Sequence, residues 1–247
     1  MRPLSAVLIV KDEEARLGDA LASVRFCDEV VVVDGGSTDR TCDVARGAGA
    51  RVIVNAPWPG FVAQRQLATA AATHDWVLAL DADERVGDGL RAEVEALPDA
   101  PGAAAFRIPR VTRYLGAWIR GTDWYPDLQT RLFDRRHGAW QGGLVHESWR
   151  SRGAVGRLQG EIEHAPYADV SEHLRTIDSY TALWAEQARG SGRRARPLEP
   201  ELAAAWALVR NLVLRRGLLL GRVGLTVSVL NAFYTWLKLV RLREPGR

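Results

Sequence analysis

Residues 29–41 read EVVVVDGGSTDRT and contain a complete transition from a strand to a helix. Four consecutive valines favour a strand buried on both faces. The glycines let the backbone approach a ligand, and Ser37 is suited to cap a helix near Thr38–Gly47. The strand-end carboxylate of Asp34, beside a helix N-terminus, suits a nucleoside hydroxyl or base N–H together with an anion. A tight turn with Asp39 as a first-turn helix acid explains the same residues without a ligand.

The alternation of strand and helix extends outward over the first hundred residues. The pattern predicts strands at Leu4–Val10, Val52–Val54 and Trp76–Leu80, and helices at Glu13–Val24, Gly60–Thr73 and Gly87–Ala96. Such units argue for an α/β fold with a mainly parallel sheet flanked by helices. Ligands of these sheets bind beyond the carboxyl ends of the strands. Because Lys11, Asp34 and Asp81 fall at those ends, we expect a binding site there.

The segment Asp81-Ala82-Asp83 follows a predicted buried strand directly. Two carboxylates at this spacing, where a strand opens into a loop, face one site and supply the oxygen ligands that Mg²⁺ or Mn²⁺ prefers. The same segment is also consistent with a solvent-exposed acidic turn in which Asp83 caps the next helix. Its position after the strand favours the metal interpretation.

The composition excludes disorder as the main state of the chain, which has 247 residues, 47% of them hydrophobic and 26% charged. Further strands are predicted at Ala103–Ile108 and Gln129–Phe133, and a helix near Val170–Ala188. The net charge of +3 is distributed unevenly, since residues 186–247 carry 12 basic and 4 acidic side chains. A basic C-terminal part suits an anionic membrane or a nucleic acid.

The C-terminal part contains two strongly apolar stretches, Leu202–Leu214 and Leu218–Val240. The charge-free run Val223–Leu237 is shorter than the roughly 20 residues of a spanning helix. We therefore predict interfacial amphipathic helices anchored by Trp206 and Trp236, and no nucleic-acid partner, because leucine, valine and phenylalanine are interleaved with the arginines. Helices packed on the main domain, or a dimer interface, are the alternatives. The predicted domains are residues 1–189, a basic linker 190–197 and the membrane-association helices 198–247.

Four segments in order carry a family resemblance: Leu4–Arg16 (LSAVLIVKDEEAR), Glu29–Thr41, Gly60–Ala68 (GFVAQRQLA) and Leu78–Glu84 (LALDADE). Together they resemble the family-2 glycosyltransferases, which have the Rossmann-like GT-A fold. With the later Val-His-Glu at 145–147, the chain is most similar to the glucosyltransferases of lipopolysaccharide inner-core synthesis. The resemblance covers about residues 4–165.

The resemblance implies a nucleotide-sugar donor site in which Asp34 contacts the nucleoside and Asp81 the ribose or the metal shell. The expected donor-binding residues are Lys11, Glu13, Asp34, Arg65, Asp81 and Arg131. Family-2 enzymes often have two consecutive acids at the Asp34 turn, whereas this chain has Gly35 in the second position. A solvent-exposed helix charge is the alternative role for Arg65, and structural pairing is the alternative for Arg131.

The resemblance also implies the catalytic and metal-binding residues. Glu147 is expected to act as the base that takes the proton of the acceptor hydroxyl, with His146 orienting it or replacing it. An exposed loop is the alternative for this pair. The expected ligands of the divalent cation, Mg²⁺ or Mn²⁺, are Asp83, Asp81 and His164. A buried structural role is the alternative for His164.

The function implied by the resemblance is inverting transfer of a hexose, glucose from UDP-glucose, to a lipid-anchored saccharide such as a lipopolysaccharide core heptose. The enzyme is expected to lie peripherally on the cytoplasmic face of the inner membrane. One alternative is a family-2 transferase that acts on a polyprenyl phosphate or another envelope glycan. Another is a non-catalytic protein that binds a nucleotide sugar.

Overall fold

The structure, a computed structural model, describes residues 2–142 and 147–244. These residues form two compact units. The first comprises the chain up to Arg110 together with Asp127–His164, and the second comprises Val111–Pro126 together with the chain from Ala165 onward. The units thus differ from a linear division of the chain. The division at residues 189 and 197, which rests on composition, stays a prediction.

The first unit contains most of the strands and four helices. Its strands are β1 Leu4–Val10, β2 Glu29–Asp34, β3 Arg51–Val54, β4 Trp76–Asp81, β5 Glu84–Val86, β8 Asp127–Asp134, β9 Gly138–Gly142, β10 Glu147–Ser151, β11 Val155–Arg157 and β12 Ile162–His164. Strand β6, Ala105–Tyr114, begins in the first unit and ends in the second, and the short β7, Ala117–Ile119, belongs to the second. Its helices are α1 Leu17–Ser23, α2 Thr41–Gly47, α3 Phe61–Ala71 and α4 Asp88–Ala96.

The main sheet is mixed, with the strand order β3-β2-β1-β4-β8-β6-β12-β5. Its N-terminal part is parallel, since β1 pairs with β2 and β4 in parallel and β2 pairs with β3 in parallel. Strand β8 then runs antiparallel between β4 and β6. A separate antiparallel pair is formed by β9 and β10. The predicted α/β fold, a Rossmann-like mixed sheet flanked by helices, is confirmed.

Both faces of the sheet are buried, as the continuous apolar runs predict. On one face Leu8 and Leu78 belong to an apolar cluster with Leu17 of α1. On the other face Val7 packs in a second cluster with Ala68 of α3. Because neighbouring strand residues point to opposite faces, a strand covered on both sides needs apolar residues at every position.

Helix α1 begins later than predicted, at Leu17 instead of Glu13. The backbone N–H of Glu13 donates to Oγ1 of Thr41 at 2.7 Å, and that of Glu14 donates to Oδ2 of Asp39 at 3.1 Å. These side chains compete with helix geometry for the backbone groups of this turn.

The second unit is mainly helical, with α5 Val170–Gly190, α6 Glu199–Val209 and α7 Gly221–Val240. Its apolar cluster joins Ala185 and Ala188 of α5 with Leu239 of α7. A short π-helical turn continues α6 over Arg210–Leu214. The C-terminal helices therefore pack on α5, which agrees in part with the alternative of packed helices.

The outer surface of the C-terminal helices remains strongly apolar. Trp206 is 55% exposed and Val213 is 58% exposed. The helical stretch Gly217–Arg243, with 27 residues, is long and apolar enough to cross a membrane by length and composition, and its most apolar 18-residue window has a mean hydropathy of 1.4. Only 22% of its most apolar window is buried. The exposed side of these helices is therefore apolar, and their predicted role in membrane association stays a prediction.

Candidate active site

The carboxyl ends of β1, β2 and β4 bring three of the predicted donor residues to one edge of the sheet. In the parallel register Val10 lies opposite Asp34, and Ile9 lies opposite Asp81. The two aspartates therefore flank the end of β1, where the exposed Lys11 follows. The roles of these residues in donor binding stay predictions.

Asp34 organises the turn that follows β2. The Asp34 side chain is buried, and its Oδ2 accepts the backbone N–H groups of Gly36 at 2.9 Å and Ser37 at 3.0 Å. The Ser37 hydroxyl donates to Asp34 Oδ1. Ser37 therefore supports this turn and does not cap α2, which begins at Thr41 without a side-chain cap. The predicted role of Ser37 as a helix cap is wrong.

The segment after β1 is bound to the same turn. Asp12 Oδ1 accepts the backbone N–H of Thr38 at 2.7 Å, and the Asp12 N–H donates to the Ser37 hydroxyl at 2.8 Å. Glu13, a predicted donor residue, forms an ion pair with Arg16 at 3.6 Å within its own segment. Two loops at the edge of the sheet are thus tied together before any ligand binds.

Trp58 explains the glycine at position 35. A Cβ atom added to Gly35 would lie 2.1 Å from Cε3 of the Trp58 ring, which is far below van der Waals contact. The indole therefore covers the position next to Asp34 where the resemblance led us to look for a second acid. Any larger residue here requires Trp58 to move.

Arg65 of α3 joins the donor edge to the predicted base. Its guanidinium donates from Nη2 to Asp81 Oδ1 at 2.6 Å and from Nε to Glu147 Oε1 at 3.0 Å. The Arg65 residue is 3% exposed, and its Cζ lies 4.8 Å from the centre of the Trp140 ring. The alternative of a solvent-exposed helix charge at Arg65 is therefore wrong.

Arg131 of β8 holds the other oxygen of Asp81. Its Nη2 donates to Asp81 Oδ2 at 2.6 Å and to Glu84 Oε1 at 3.0 Å. Burial by itself raises the pKa of the Asp81 carboxyl, but Arg131 and Arg65 outweigh burial and hold that pKa well below its usual range. Asp81 is therefore ionised and fixed in orientation at neutral pH.

Glu84 is a central residue that sequence reasoning missed. Its carboxylate is fully buried and accepts from Arg131, from Arg110 Nη1 at 2.8 Å and from the backbone N–H of Asp81 at 3.0 Å. Arg110 also donates to Asp127 at 2.8 Å. Burial lowers the pKa of Arg110, but Glu84 and Asp127 outweigh it and raise that pKa. The position of Glu84 in the Asp-Ala-Asp-Glu segment was the available signal, because a carboxylate after a buried strand needs cations near it.

Asp83 and His164 are brought together although they lie 81 positions apart in the sequence. The Oδ2 atom of Asp83 lies 3.3 Å from Nε2 of His164, which ends β12. Asp83 does not cap α4, which follows Gly87. Within residues 2–142 and 147–244, no group of three or more His, Cys, Asp or Glu side chains is arranged to hold a metal ion. The two side chains nevertheless suit Mg²⁺ or Mn²⁺, which keeps several positions for substrate phosphates.

Asp81 offers less to a metal than Asp83 does, because both of its carboxylate oxygens accept from arginine. Its predicted metal role and that of His164 stay predictions. The His146 side chain lies outside the described residues. Glu147 begins β10 and pairs with Gly142 of β9 across the two-stranded sheet.

The fold of this chain is shared with a solved structure. Staphylococcus aureus TarS, residues 1–349 in complex with UDP-GlcNAc, matches with a TM-score of 0.52 and 15% identity over 93% of this chain and 79% of that chain. This likeness supports the GT-A fold, a mixed sheet whose parallel strands present a ligand-binding edge.

Two curated relatives share the sequence over most of its length. An uncharacterized glycosyltransferase of Rickettsia prowazekii is 28% identical over 99% of this chain and 88% of its own length. The lipopolysaccharide core biosynthesis glycosyltransferase LpsC of Rhizobium meliloti is 32% identical over 78% of this chain and 74% of its own. The model of glycosyl transferase family 2 matches residues 5–158. The chain belongs to glycosyltransferase family 2, and the predicted membership is confirmed.

Proposed function

We propose that this glycosyltransferase inverts configuration and moves a hexose, glucose from UDP-glucose, onto a lipid-anchored saccharide such as a lipopolysaccharide core heptose. The observation that carries the proposal is the Arg65 bridge, which ties Asp81 at the carboxyl edge of the sheet to Glu147 of β10. A carboxylate held beside the edge where ligands of such sheets bind is placed to act on the incoming acceptor.

Glu147 is the proposed general base. Its Oε1 accepts from Arg65, while Oε2 makes no hydrogen bond to any residue in the described part of the chain. Oε2 takes the proton of the acceptor hydroxyl as that oxygen bonds to the anomeric carbon. The bond from the anomeric carbon to the diphosphate oxygen breaks on the opposite face, and the diphosphate leaves with the electron pair. Attack opposite to the leaving group inverts the anomeric configuration.

Asp83 and His164 are the residues that would hold the divalent cation, Mg²⁺ or Mn²⁺. When bound, the cation would supply positive charge that neutralises a leaving diphosphate. Asp81, kept ionised by Arg131 and Arg65, is suited to accept hydrogen bonds from the ribose hydroxyls. Asp34 and Lys11 lie at the same edge and complete the proposed donor side.

The acceptor and the location are proposed from the relatives and from the C-terminal helices. The name of LpsC supports an acceptor of the lipopolysaccharide core, and the resemblance to inner-core glucosyltransferases supports UDP-glucose as donor. Such acceptors are anchored in lipid. We therefore place the enzyme at the cytoplasmic face of the inner membrane, bound peripherally through the exposed apolar surface of α6 and α7.

Calorimetric titration of the protein with UDP, with and without Mn²⁺, tests the donor site. We expect Mn²⁺ to strengthen UDP binding and Asp83→Asn to remove at least about 100-fold of the Mn²⁺-dependent affinity, since even outer-shell changes at metal sites cost about 10–100-fold. His164→Gln is expected to act in the same direction.

Asp88→Asn is the matched control, because Asp88 is an exposed carboxylate at the start of α4. This variant is expected to bind UDP like the unaltered protein. UDP binding that depends on neither Mn²⁺ nor Asp83 would assign the donor to a metal-independent site. No UDP binding under any condition would contradict the proposed donor.

Co-sedimentation with vesicles tests the membrane surface. The substitutions Trp206→Glu and Val213→Glu place charge on side chains that are 55% and 58% exposed. Together they are expected to lower the affinity for phosphatidylglycerol-containing vesicles at least about tenfold, because burial of apolar surface and attraction to anionic lipid act together.

Val155→Glu is the control, because Val155 lies on β11 of the first unit and is 44% exposed. Equal sedimentation of the Trp206→Glu/Val213→Glu variant and the Val155→Glu control would contradict membrane docking through α6. Protein that stays in the pellet after an alkaline carbonate wash would indicate a membrane-spanning helix instead of peripheral binding.

A further inference from the structure

The second unit contains a cavity that the proposed transfer reaction does not use. Its volume is about 180 Å³. Its wall is mainly aromatic and includes Trp124, Tyr167, His173, Tyr180, Asn231 and Tyr234. An engineered apolar cavity of about 150 Å³ holds one benzene molecule, so this space accommodates one six-membered ring with substituents. None of these residues belongs to the candidate active site.

The aromatic wall is held rigid by ring-to-ring contacts. The rings of Tyr167 and His173 stack with centres 4.3 Å apart and planes 15° apart. Trp124 meets the His173 ring edge-on at 5.5 Å. Contacts of this kind restrict side-chain rotation. The cavity is therefore formed in advance, and a ligand that enters it loses little binding free energy to the ordering of side chains.

The polar groups of the wall are uncharged and fixed in direction. Trp124 Nε1 donates to Asn231 Oδ1 at 3.0 Å, and Asn231 Nδ2 donates to Asn211 Oδ1 at 2.9 Å. Nδ1 of His173 lies 3.0 Å from the Tyr114 hydroxyl. Burial lowers the pKa of His173 to about 4, so the imidazole is neutral at pH 7.

The absence of charge in this wall selects the ligand chemistry. None of the lining residues is charged, so a phosphate or carboxylate group would lose its hydration without meeting a cation of the wall. A hydrocarbon chain would leave the phenol of Tyr234, which has no hydrogen-bond partner among the described residues, facing apolar atoms. A sugar ring satisfies both requirements, because its C–H bonds pack on aromatic faces while its hydroxyl groups exchange hydrogen bonds with a phenol such as that of Tyr234.

We propose that this aromatic cavity binds one uncharged pyranose ring, which makes it a second carbohydrate-binding site of the chain. Burial also raises the pKa of Tyr234, so its phenol remains protonated and able to donate. The ring is supplied either by a free monosaccharide or by one residue of a longer glycan. None of its residues takes part in the proposed transfer chemistry, so its failure would leave the proposed function unaffected.

Saturation-transfer NMR on the full chain tests the proposal, with methyl α-D-glucopyranoside and methyl α-D-mannopyranoside as probes. We expect binding in the millimolar range that persists with saturating UDP and Mn²⁺ and in Asp83→Asn. Tyr180→Ala is expected to weaken it about tenfold, since loss of one stacked ring removes about 1.4 kcal/mol by the standard conversion. Tyr180 is 46% exposed, so the variant is expected to fold.

Leu183→Ala is the matched control, because Leu183 lies on the same helix and is 44% exposed. Tyr180→Phe is expected to keep the stacking part of the affinity. A core oligosaccharide that binds much more tightly than the methyl glycosides would identify a glycan as the source of the ring. If the oligosaccharide and the methyl glycosides bind with equal affinity, the source is a free sugar. No signal from any of these saccharides, equal binding by Tyr180→Ala, or displacement of the sugar by uridine would overturn the proposal.

Discussion

Glu147→Gln is expected to lower kcat by about 10²–10⁴-fold, the usual contribution of a general base. The amide oxygen of glutamine still accepts from Arg65 Nε, whose bond to Glu147 Oε1 is 3.0 Å long. The geometry of the bridge is therefore preserved while the proton acceptor is lost. Steady-state transfer from UDP-glucose to a core saccharide measures kcat, and calorimetry with UDP checks that donor binding is retained.

Glu95→Gln is the control for this substitution. Glu95 lies on α4 of the same unit and pairs only with Arg91 among the described residues, at 3.0 Å. Its replacement is expected to leave kcat unchanged. If Glu147→Gln turns over at a near-normal rate, another group is the base, and His146 is the next residue to replace. Loss of UDP binding in Glu147→Gln would instead assign Glu147 a role in holding the donor edge.

Glu84→Gln is expected to destabilise the fold by about 3–5 kcal/mol, the typical cost of breaking a buried ion pair. Glu84 is fully buried and accepts from Arg131, from Arg110 and from the backbone N–H of Asp81. Glutamine has one acceptor oxygen, so its amide N–H₂ must face either a guanidinium or a backbone N–H. Thermal unfolding followed by circular dichroism is expected to show a Tm lower by about 10 °C.

The same Glu95→Gln variant serves as the stability control, because its partly exposed helix pair is worth less than about 1 kcal/mol. Loss of the buried ion pairs is expected to lower the Tm by about 10 °C. A Tm of Glu84→Gln within about 2 °C of that of the unaltered protein would therefore show that the buried network is energetically neutral. If Glu84→Gln is expressed at a normal level and has a lowered Tm, the buried network stabilises the fold.

The sheet and the position of Asp34 and Asp81 at one of its edges were largely predictable from the sequence. Runs such as Leu4–Val10 and Glu29–Asp34 are apolar at successive positions, and only a strand covered on both faces requires this pattern. The ends of these runs place Asp34 and Asp81 at one edge because parallel strands point the same way. The helix starts were less predictable, since Glu13 and Glu14 are bonded by side chains more than 24 positions away.

The sequence by itself determined the α/β class, the edge of the sheet at which the acidic residues converge, the family and the apolar character of the C-terminal helices. These features depend on local periodicity and on short motifs, which a linear pattern contains. Only the tertiary structure decided that Arg65 bridges Asp81 to Glu147, that Glu84 joins Arg131 to Arg110, and that Asp83 meets His164. The partners in these contacts lie 16 to 82 positions apart in the sequence. A charged side chain is stable in the interior only when an oppositely charged or hydrogen-bonding partner contacts it. Here those partners come from other elements of the fold, and only the packing of these elements brings them together.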